Sequence, residues 1–254
     1  MLAGHFLSFG KWLSQVMSVL CVNNKGMGPL PMYIDLVFVG TTFLTLWLLY
    51  QATGFSKYVM VVTLAWLVLQ AVVGLSGFYT VTTGGPQRFA LLLMPPLVLM
   101  LVLFIVPGGR RFVDGLDVRL LTLLHVVRIP AELTLYWLYL HKAVPQAMTF
   151  EGRNFDVFSG LTAPLVWYFG FVKPRLDKRV LIGWNVVCLL LLANIAVTAV
   201  LSGSPFWERF GFERRNIALF YFPFVWLPCC IVPIVLLAHL AAIRQLAKRR
   251  VMVG

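Results

Sequence analysis

Apolar runs of about 20 residues recur along almost the whole chain, and this feature most constrains the fold. Such a run has the length that an α-helix needs to cross the hydrocarbon core of a bilayer. Only short polar segments separate the runs, which leaves no length for a separate soluble domain. The alternation of polar and apolar residues that is typical of outer-membrane barrel strands is absent from the sequence. The sequence therefore predicts an all-α, polytopic transmembrane helical bundle.

Composition and charge support this class. Of the 254 residues, 60% are hydrophobic and 12% are charged, whereas soluble domains are about half apolar and a quarter charged. A net charge of +12 would indicate nucleic-acid binding in a soluble protein. Here Lys and Arg cluster between the apolar runs, where they set orientation and contact anionic lipids. The predicted partners are the lipid bilayer and anionic lipids at the cytoplasmic face, with no nucleic acid.

The apolar runs define about seven predicted spans, which form one domain over residues 32–250. The fifth span is short for a bilayer and the seventh is long. Prolines lie inside the third, fourth, fifth and seventh spans, and each removes a backbone hydrogen bond, so several helices are predicted to be kinked. The spans are Met32–Tyr50, Tyr58–Val81, Phe89–Val106, Val118–Leu140, Val157–Val172, Val180–Ser202 and Ala218–Leu246.

Residues 1–31 form a separate N-terminal segment. Its apolar part is interrupted by Lys11, Ser14 and Gln15, and it lacks the small-residue cleavage pattern of a signal sequence. Two interpretations are open: an interfacial helix, or an extension upstream of a start at Met32.

The distribution of basic residues predicts the orientation of the chain. Alternate loops carry 12 Lys and Arg residues on one side and 8 on the other, and cytoplasmic loops retain the larger number. The two densest clusters, in segments 173–179 and 244–250, lie on the richer side. We therefore expect the N-terminus outside and the C-terminus in the cytoplasm.

The fourth predicted span carries ionisable residues into the membrane. His125, Arg128 and Glu132 are spaced i, i+3 and i+7, so they share one side of a helix. A charge at membrane depth is costly, so this side is expected to face the bundle interior. Arg128 and Glu132 would form a buried ion pair that only fixes helix packing, or they would line a polar cavity. In the cavity interpretation Arg128 holds an anionic group, Glu132 exchanges a proton and His125 assists.

The loop MTFEGRNFD follows this helix on the predicted outer side. Its charged and amide side chains form either a self-satisfied cap or a lid over the cavity. Its carboxylates could do acid/base chemistry, but no recognisable nucleophile accompanies them, which favours a binding role over an enzymatic one. The predicted ligand-binding residues are His125, Arg128, Glu132, Glu151, Arg153, Asn154 and Asp156.

His125 and His239 are the histidines that fall inside predicted spans, and their depths match. Two such residues could ligate haem between two helices, but no other feature supports this, and we expect the protein to lack haem. Cys229 and Cys230 lie about nine residues, or ~14 Å along a helix, from His239, which disfavours a shared metal site. No metal site is predicted, and the sequence leaves the cofactor unknown.

Two known families of proteins with seven membrane spans do not fit the sequence, because it lacks residues that their chemistry needs at the required positions. Retinal-binding rhodopsins need a lysine within the seventh helix, whereas Lys248 lies past its end. Hydrolases of the ceramidase and adiponectin-receptor type use several histidines around zinc, and no HxxxH-like spacing occurs here.

Three segments resemble those of an uncharacterised family of bacterial multi-pass integral membrane proteins with no assigned activity. They are LLHVVRIPAELTLYWL, MTFEGRNFDVFSGLTAP and FPFVWLPCCIVPIVLLAHLAAIRQL, and the resemblance covers most of the chain from Met32 onward. It implies a bacterial inner-membrane protein and implies no site residues.

These observations favour a protein that binds or transports a small or amphiphilic ligand in an intramembrane polar pocket. A membrane-embedded enzyme or redox carrier using haem or quinone is the alternative. A structural subunit of a membrane complex is a third possibility, in which Arg128 and Glu132 only fix the packing.

Overall fold

The computed structural model describes residues 28, 30–81 and 87–248. Within these ranges the chain is all-helical, without a β-strand. The interpretations of residues 1–27 lie outside the described residues. The α-helices are α1 (Met32–Ala52), α2 (Lys57–Leu75), α3 (Gln87–Ile105), α4 (Pro107–Asp114), α5 (Val118–Leu124), α6 (Arg128–Leu140), α7 (Val157–Trp167), α8 (Lys178–Gly203) and α9 (Val232–Lys248).

Several helices have the length and apolar character of membrane spans. Among the described residues four qualify, namely α1, α2, α8 and the stretch Leu227–Lys248. A fifth is reached if the bent pair Leu91–Ile105 and Pro107–Asp114 is counted as one span. The predicted all-helical, membrane-compatible class is confirmed, whereas the number seven is not.

The fourth predicted span is divided into two helices. Asp117 caps α5, accepting a hydrogen bond from the backbone N–H of Arg119 at 2.8 Å. A 3₁₀ turn at His125–Val127 ends α5, and α6 begins at Arg128. Pro130 therefore lies in the first turn of α6, where backbone N–H groups have no partner within the helix in any case. The structure has this break in place of the continuous helix bent at Pro130 that the sequence predicted.

The last helix begins later than the sequence predicted. After a 3₁₀ turn at Ala218–Phe220, residues 222–225 form turns, and a π-helical turn at Leu227–Ile231 leads into α9. Pro233 has no N–H to offer the carbonyl of Cys229, and that oxygen accepts a hydrogen bond of 2.9 Å from Trp66 Nε1 of α2. Leu227–Lys248 is the most buried of the candidate spans, at 67%, so it forms the centre of the bundle.

The short helix α4 turns away from α3 by 93°. Its Val113 side chain is fully buried, whereas Arg110 and Arg111 are exposed. Asp114 accepts hydrogen bonds from Arg244 and Lys248, and Gln245 Nε2 donates to the carbonyls of residues 113 and 116. These contacts attach α4 to the end of α9.

Candidate functional site

Seven polar side chains meet between α5, α6, α8 and α9, each at most 4% exposed. The loop before α7 and the N-terminus of α7 close the group on one side. Because such groups are costly to bury without partners, their mutual contacts define what the site can do. We call this group the polar cluster; it comprises His125, Arg128, Glu132, Asn154, Asp156, Asn185 and His239.

Arg128 is paired with Asp156 in the centre of the polar cluster. Its Nη1 donates to Asp156 Oδ1, and Ser159 Oγ donates to the same oxygen at 3.3 Å. Asp156 precedes α7 at the position where an Asp usually caps the helix with its side chain, but no such cap is formed here. Its carboxylate is used on the arginine instead.

The expected ion pair between Arg128 and Glu132 is not among the ion pairs of the described residues. The order basic then acidic at i, i+4 is the less favourable one on a helix. In addition, side chains tilt toward the helix N-terminus. Arg128 extends toward α9 instead. It pairs with Asp156 rather than with Glu132.

Glycine at position 160 allows α7 to approach α6 closely. A Cβ added to Gly160 would lie 2.8 Å from Ile129 Cγ1 and 3.3 Å from Arg128 Cβ. Small residues at helix contacts have this role in membrane proteins. The close approach brings the N-terminus of α7, with Asp156 and Ser159, against Arg128.

His239 of α9 links Arg128 to α8. Arg128 Nη2 lies 3.1 Å from His239 Nε2, and His239 Nδ1 lies 2.9 Å from Asn185 Oδ1. A guanidinium only donates, so Nε2 is the acceptor and Nδ1–H is the donor. The network therefore assigns a neutral imidazole protonated at Nδ1.

His125 stacks on His239 but takes no part in the hydrogen-bond network. The two ring centroids are 3.8 Å apart and the planes differ by 11°, while Trp184 presents its edge at 5.5 Å. His125 is fully buried, and neither of its ring nitrogens has a hydrogen-bond partner in the described part of the chain. The same is true of Arg128 Nε. The polar cluster therefore has unused hydrogen-bonding capacity beside a cation.

Glu132 is held by the loop that precedes α7. Asn154 Nδ2 donates to Glu132 Oε2 at 2.6 Å and to the carbonyl of Met148 at 3.0 Å. Asn154 Oδ1 accepts from the backbone N–H of Asp156 at 3.1 Å. One amide thus ties the loop to α6 and orients Asp156 toward Arg128.

Glu151 and Arg153 lie outside the polar cluster, with exposed side chains. Glu151 interacts with the hydroxyl of Tyr136 in α6, and the backbone carbonyl of Arg153 accepts from Asn194 Nδ2 at 2.8 Å. Five of the seven predicted site residues therefore come together, and these two instead attach the loop to α6 and α8.

Sequence reasoning missed the contributions of α8 and α9 to the site. Asn185 stands inside a long apolar run, and an intramembrane polar residue of this kind is a signal for an internal contact. The sequence suggests roles for His239 only as a ligand of haem or of a metal shared with a cysteine. Trp184, next to Asn185, donates its Nε1–H to Thr162 of α7 at 2.9 Å and so fixes the indole against both histidines.

The residues present do not form an evident metal centre. In the described ranges no group of three or more His, Cys, Asp or Glu side chains is placed to hold a metal ion. His125 and His239 present ring faces to one another rather than nitrogens.

Two cavities lie away from the polar cluster. One, of about 510 Å³, is an apolar groove between α2, α3 and α9. The other, of about 430 Å³, lies between segment 114–119 and segment 170–174, which follows α7. Neither is lined by a residue of the polar cluster, so the cavity predicted beside Arg128 and Glu132 stays a prediction.

No family model, curated protein or solved structure matches the chain. The functional argument therefore depends on the geometry of the site.

Proposed function

We propose that this chain is a bacterial inner-membrane protein that binds a small or amphiphilic molecule with an anionic group at the polar cluster, and transports it. Membership in the bacterial multi-pass family that its segments resemble is part of this proposal, as is a seven-span bundle with its N-terminus outside and its C-terminus in the cytoplasm. The observation that carries the proposal is the pairing of Arg128 with a carboxylate of the adjoining loop, beside a histidine whose ring nitrogens have no hydrogen-bond partner among the described residues.

Asp156, which provides the negative charge beside Arg128, lies in the loop that ends at the N-terminus of α7. Loops move more easily than the helices that they connect. A ligand carboxylate or phosphate has the same chemistry and would take the place of this carboxylate on the guanidinium. Asn154 hydrogen bonds to Glu132 of α6, and Asp156 pairs with Arg128. We therefore expect the loop to leave both partners in one movement. In this mechanism the segment 149–156 is the lid over the site.

His125 and Arg128 Nε provide the additional polar contacts for the ligand. His125 lies beside the guanidinium, and a neutral imidazole donates from one ring nitrogen, so it suits a second oxygen of the same anionic group. Glu132 has an amide donor but no cation on its carboxylate in the described residues, which suits the exchange of a proton when the lid opens.

The test is the thermal stability of the purified protein with and without acetate, decanoate, inorganic phosphate and decyl phosphate. A ligand that binds the folded state raises the melting temperature. We expect at least one of these anions to do so, and the shift to be lost in the double variant Arg128→Met/Asp156→Leu. His125→Phe keeps a flat ring and should weaken the shift, whereas His141→Phe, outside the polar cluster, should not.

A structural role is the second candidate, and the direct contacts of Arg128 with Asp156 and of Asn154 with Glu132 favour it. If the polar cluster only fixes packing, none of the anions will stabilise the protein. The double variant will then also keep whatever phenotype the gene supports.

A further inference from the structure

The apolar groove between α2, α3 and α9 is a second candidate binding site, independent of the polar cluster. It has a volume of about 510 Å³, within the range of small-molecule sites. Its lining is apolar apart from a few groups, and the hydroxyl of Thr63 is already bonded to the carbonyl of Val59 at 2.7 Å. A ligand there would be held by apolar contact alone.

The groove opens on the outer surface of the bundle. Its lining includes Tyr58, Val62 and Leu99, which are 87%, 62% and 54% exposed. In a membrane protein, exposed apolar side chains of this kind face lipid. Helix α2 is the least buried of the candidate spans, since 17% of its apolar window is buried. The groove is thus accessible to an occupant that comes sideways from the bilayer.

Prolines form part of its walls. Pro95 and Pro96 of α3 and Pro233 of α9 all line the groove. A proline has no backbone N–H, and the carbonyl of Cys229 is satisfied by Trp66. These positions therefore add no free backbone N–H to the walls of the groove, which suits an apolar occupant.

One end of the groove is cationic. Tyr58 lies at the start of α2 and Phe112 lies beyond the end of α3, and both line the groove. Consecutive spans run in opposite directions, so these two residues belong to the same end. Their sequence neighbours Lys57, Arg110 and Arg111 are exposed. No ion pair in the described residues involves these three, because Asp114 is used by Arg244 and Lys248. The 93° turn between α3 and α4 directs α4 along the membrane surface if α3 crosses the bilayer. Arg110 and Arg111 then lie at the depth of the lipid phosphates.

We infer that the groove holds an acyl chain of an anionic phospholipid, whose headgroup lies against Lys57, Arg110 and Arg111. An apolar channel with positive charge at one end fits an amphiphile with a negative head. A packed partner helix would need apolar contact along the groove and would gain nothing from the charges. Because the cationic end of the groove lies at α4, the bound lipid would come from the leaflet on the α4 side of the bilayer.

The test is native mass spectrometry of the full chain, delipidated in detergent and titrated with phosphatidylglycerol or phosphatidylcholine of identical acyl chains. We expect several-fold more retained phosphatidylglycerol than phosphatidylcholine. Arg110→Gln/Arg111→Gln should reduce phosphatidylglycerol to the level of phosphatidylcholine. Val62→Trp fills the groove and should reduce both lipids.

Val68→Trp is the matched control. Val68 lies on the same helix with the same exposure of 62%, but it does not line the groove, so its lipid retention should equal that of the unchanged protein. Equal loss in Val62→Trp and Val68→Trp, or equal retention of the two lipids by the unchanged protein, would overturn the inference. A dimer that disappears only in Val62→Trp would also overturn it and assign the groove to a second copy of the chain.

A second measurement does not depend on how well Val62→Trp folds. Phosphatidylglycerol with brominated acyl chains quenches indole fluorescence on contact, and Trp66 lines the groove. The quenched fraction should fall in Trp66→Phe and should be smaller with brominated phosphatidylcholine. Quenching that is unchanged in Trp66→Phe would contradict the assignment.

Discussion

The imidazole rings of His125 and His239 are stacked face to face, with centroids 3.8 Å apart. Two rings in face contact cannot both direct a nitrogen at an iron atom between them. We therefore expect the purified protein to show no Soret absorption. A Soret band that is lost in His125→Ala and also in His239→Ala would contradict this expectation.

The pair of Arg128 and Asp156 predicts strong coupling in a double-mutant cycle. Arg128→Met or Asp156→Leu alone leaves an uncompensated charge among buried groups, which costs about 3–5 kcal/mol. The double variant removes both charges and should recover much of the lost free energy of unfolding, as measured by thermal or denaturant unfolding in detergent.

Glu132 provides the comparison for this cycle. The structure contains no direct contact that pairs it with Arg128, so Arg128→Met/Glu132→Leu should recover less stability than Arg128→Met/Asp156→Leu. The opposite ranking would restore the ion pair that the sequence alone suggested.

Gly160 is expected to tolerate no side chain. A Cβ at this position meets Ile129 at 2.8 Å, and overpacking of this kind costs about 1–3 kcal/mol. Gly160→Ala should lower the melting temperature and weaken any anion-induced stabilisation, because α7 carries Asp156. Gly183→Ala in α8 meets no atom within 4 Å and is the control that should lower neither quantity, since alanine favours a helix over glycine where space is open.

The orientation is testable with reporter fusions. From the distribution of basic residues, a fusion after Lys178 should report the cytoplasm and one after Arg215 the exterior. Opposite readings at both positions would reverse the topology, and with it the side from which the lid opens.

Asp114 predicts a pH dependence at the end of α9. Hydrogen bonds from Arg244 and Lys248 lower the pKa of Asp114 from 3.8 to about 2. A carboxylate with a lowered pKa stabilises the fold fully above its unfolded pKa, and that contribution is lost as the pH falls toward 2. The difference in melting temperature between the unchanged protein and Asp114→Asn should be constant down to about pH 4 and shrink below it. A difference that is independent of pH would show that the charge contributes nothing.

Hydropathy and residue spacing were sufficient to predict the helical class and the burial side of His125, Arg128 and Glu132. Periodicity places residues of one helix on a common side, and the energy of a charge in lipid decides which side that is. The polar loop after α6 also predicts Asn154 and Asp156 as site residues, because a polar loop between two apolar helices can cover the polar side of a neighbouring helix.

The pairing within the site was beyond sequence reasoning. Arg128 pairs with Asp156 because Gly160 lets α7 approach, and that approach is a property of two helices rather than of either pattern. Asn185 and His239 enter from α8 and α9, which are distant in the sequence. The 3₁₀ turn at His125–Val127 likewise depends on local packing, since the sequence predicts one helix bent at Pro130 and has no signal for a break at His125.

Helix α9 carries His239 against Arg128 and, about two turns later, Gln245 against the carbonyls of residues 113 and 116. A helix of this length is stiff, so α9 connects the polar cluster to α4 without a joint between them. We expect a ligand that displaces His239 to move α4 as well, and Arg110 and Arg111 with it.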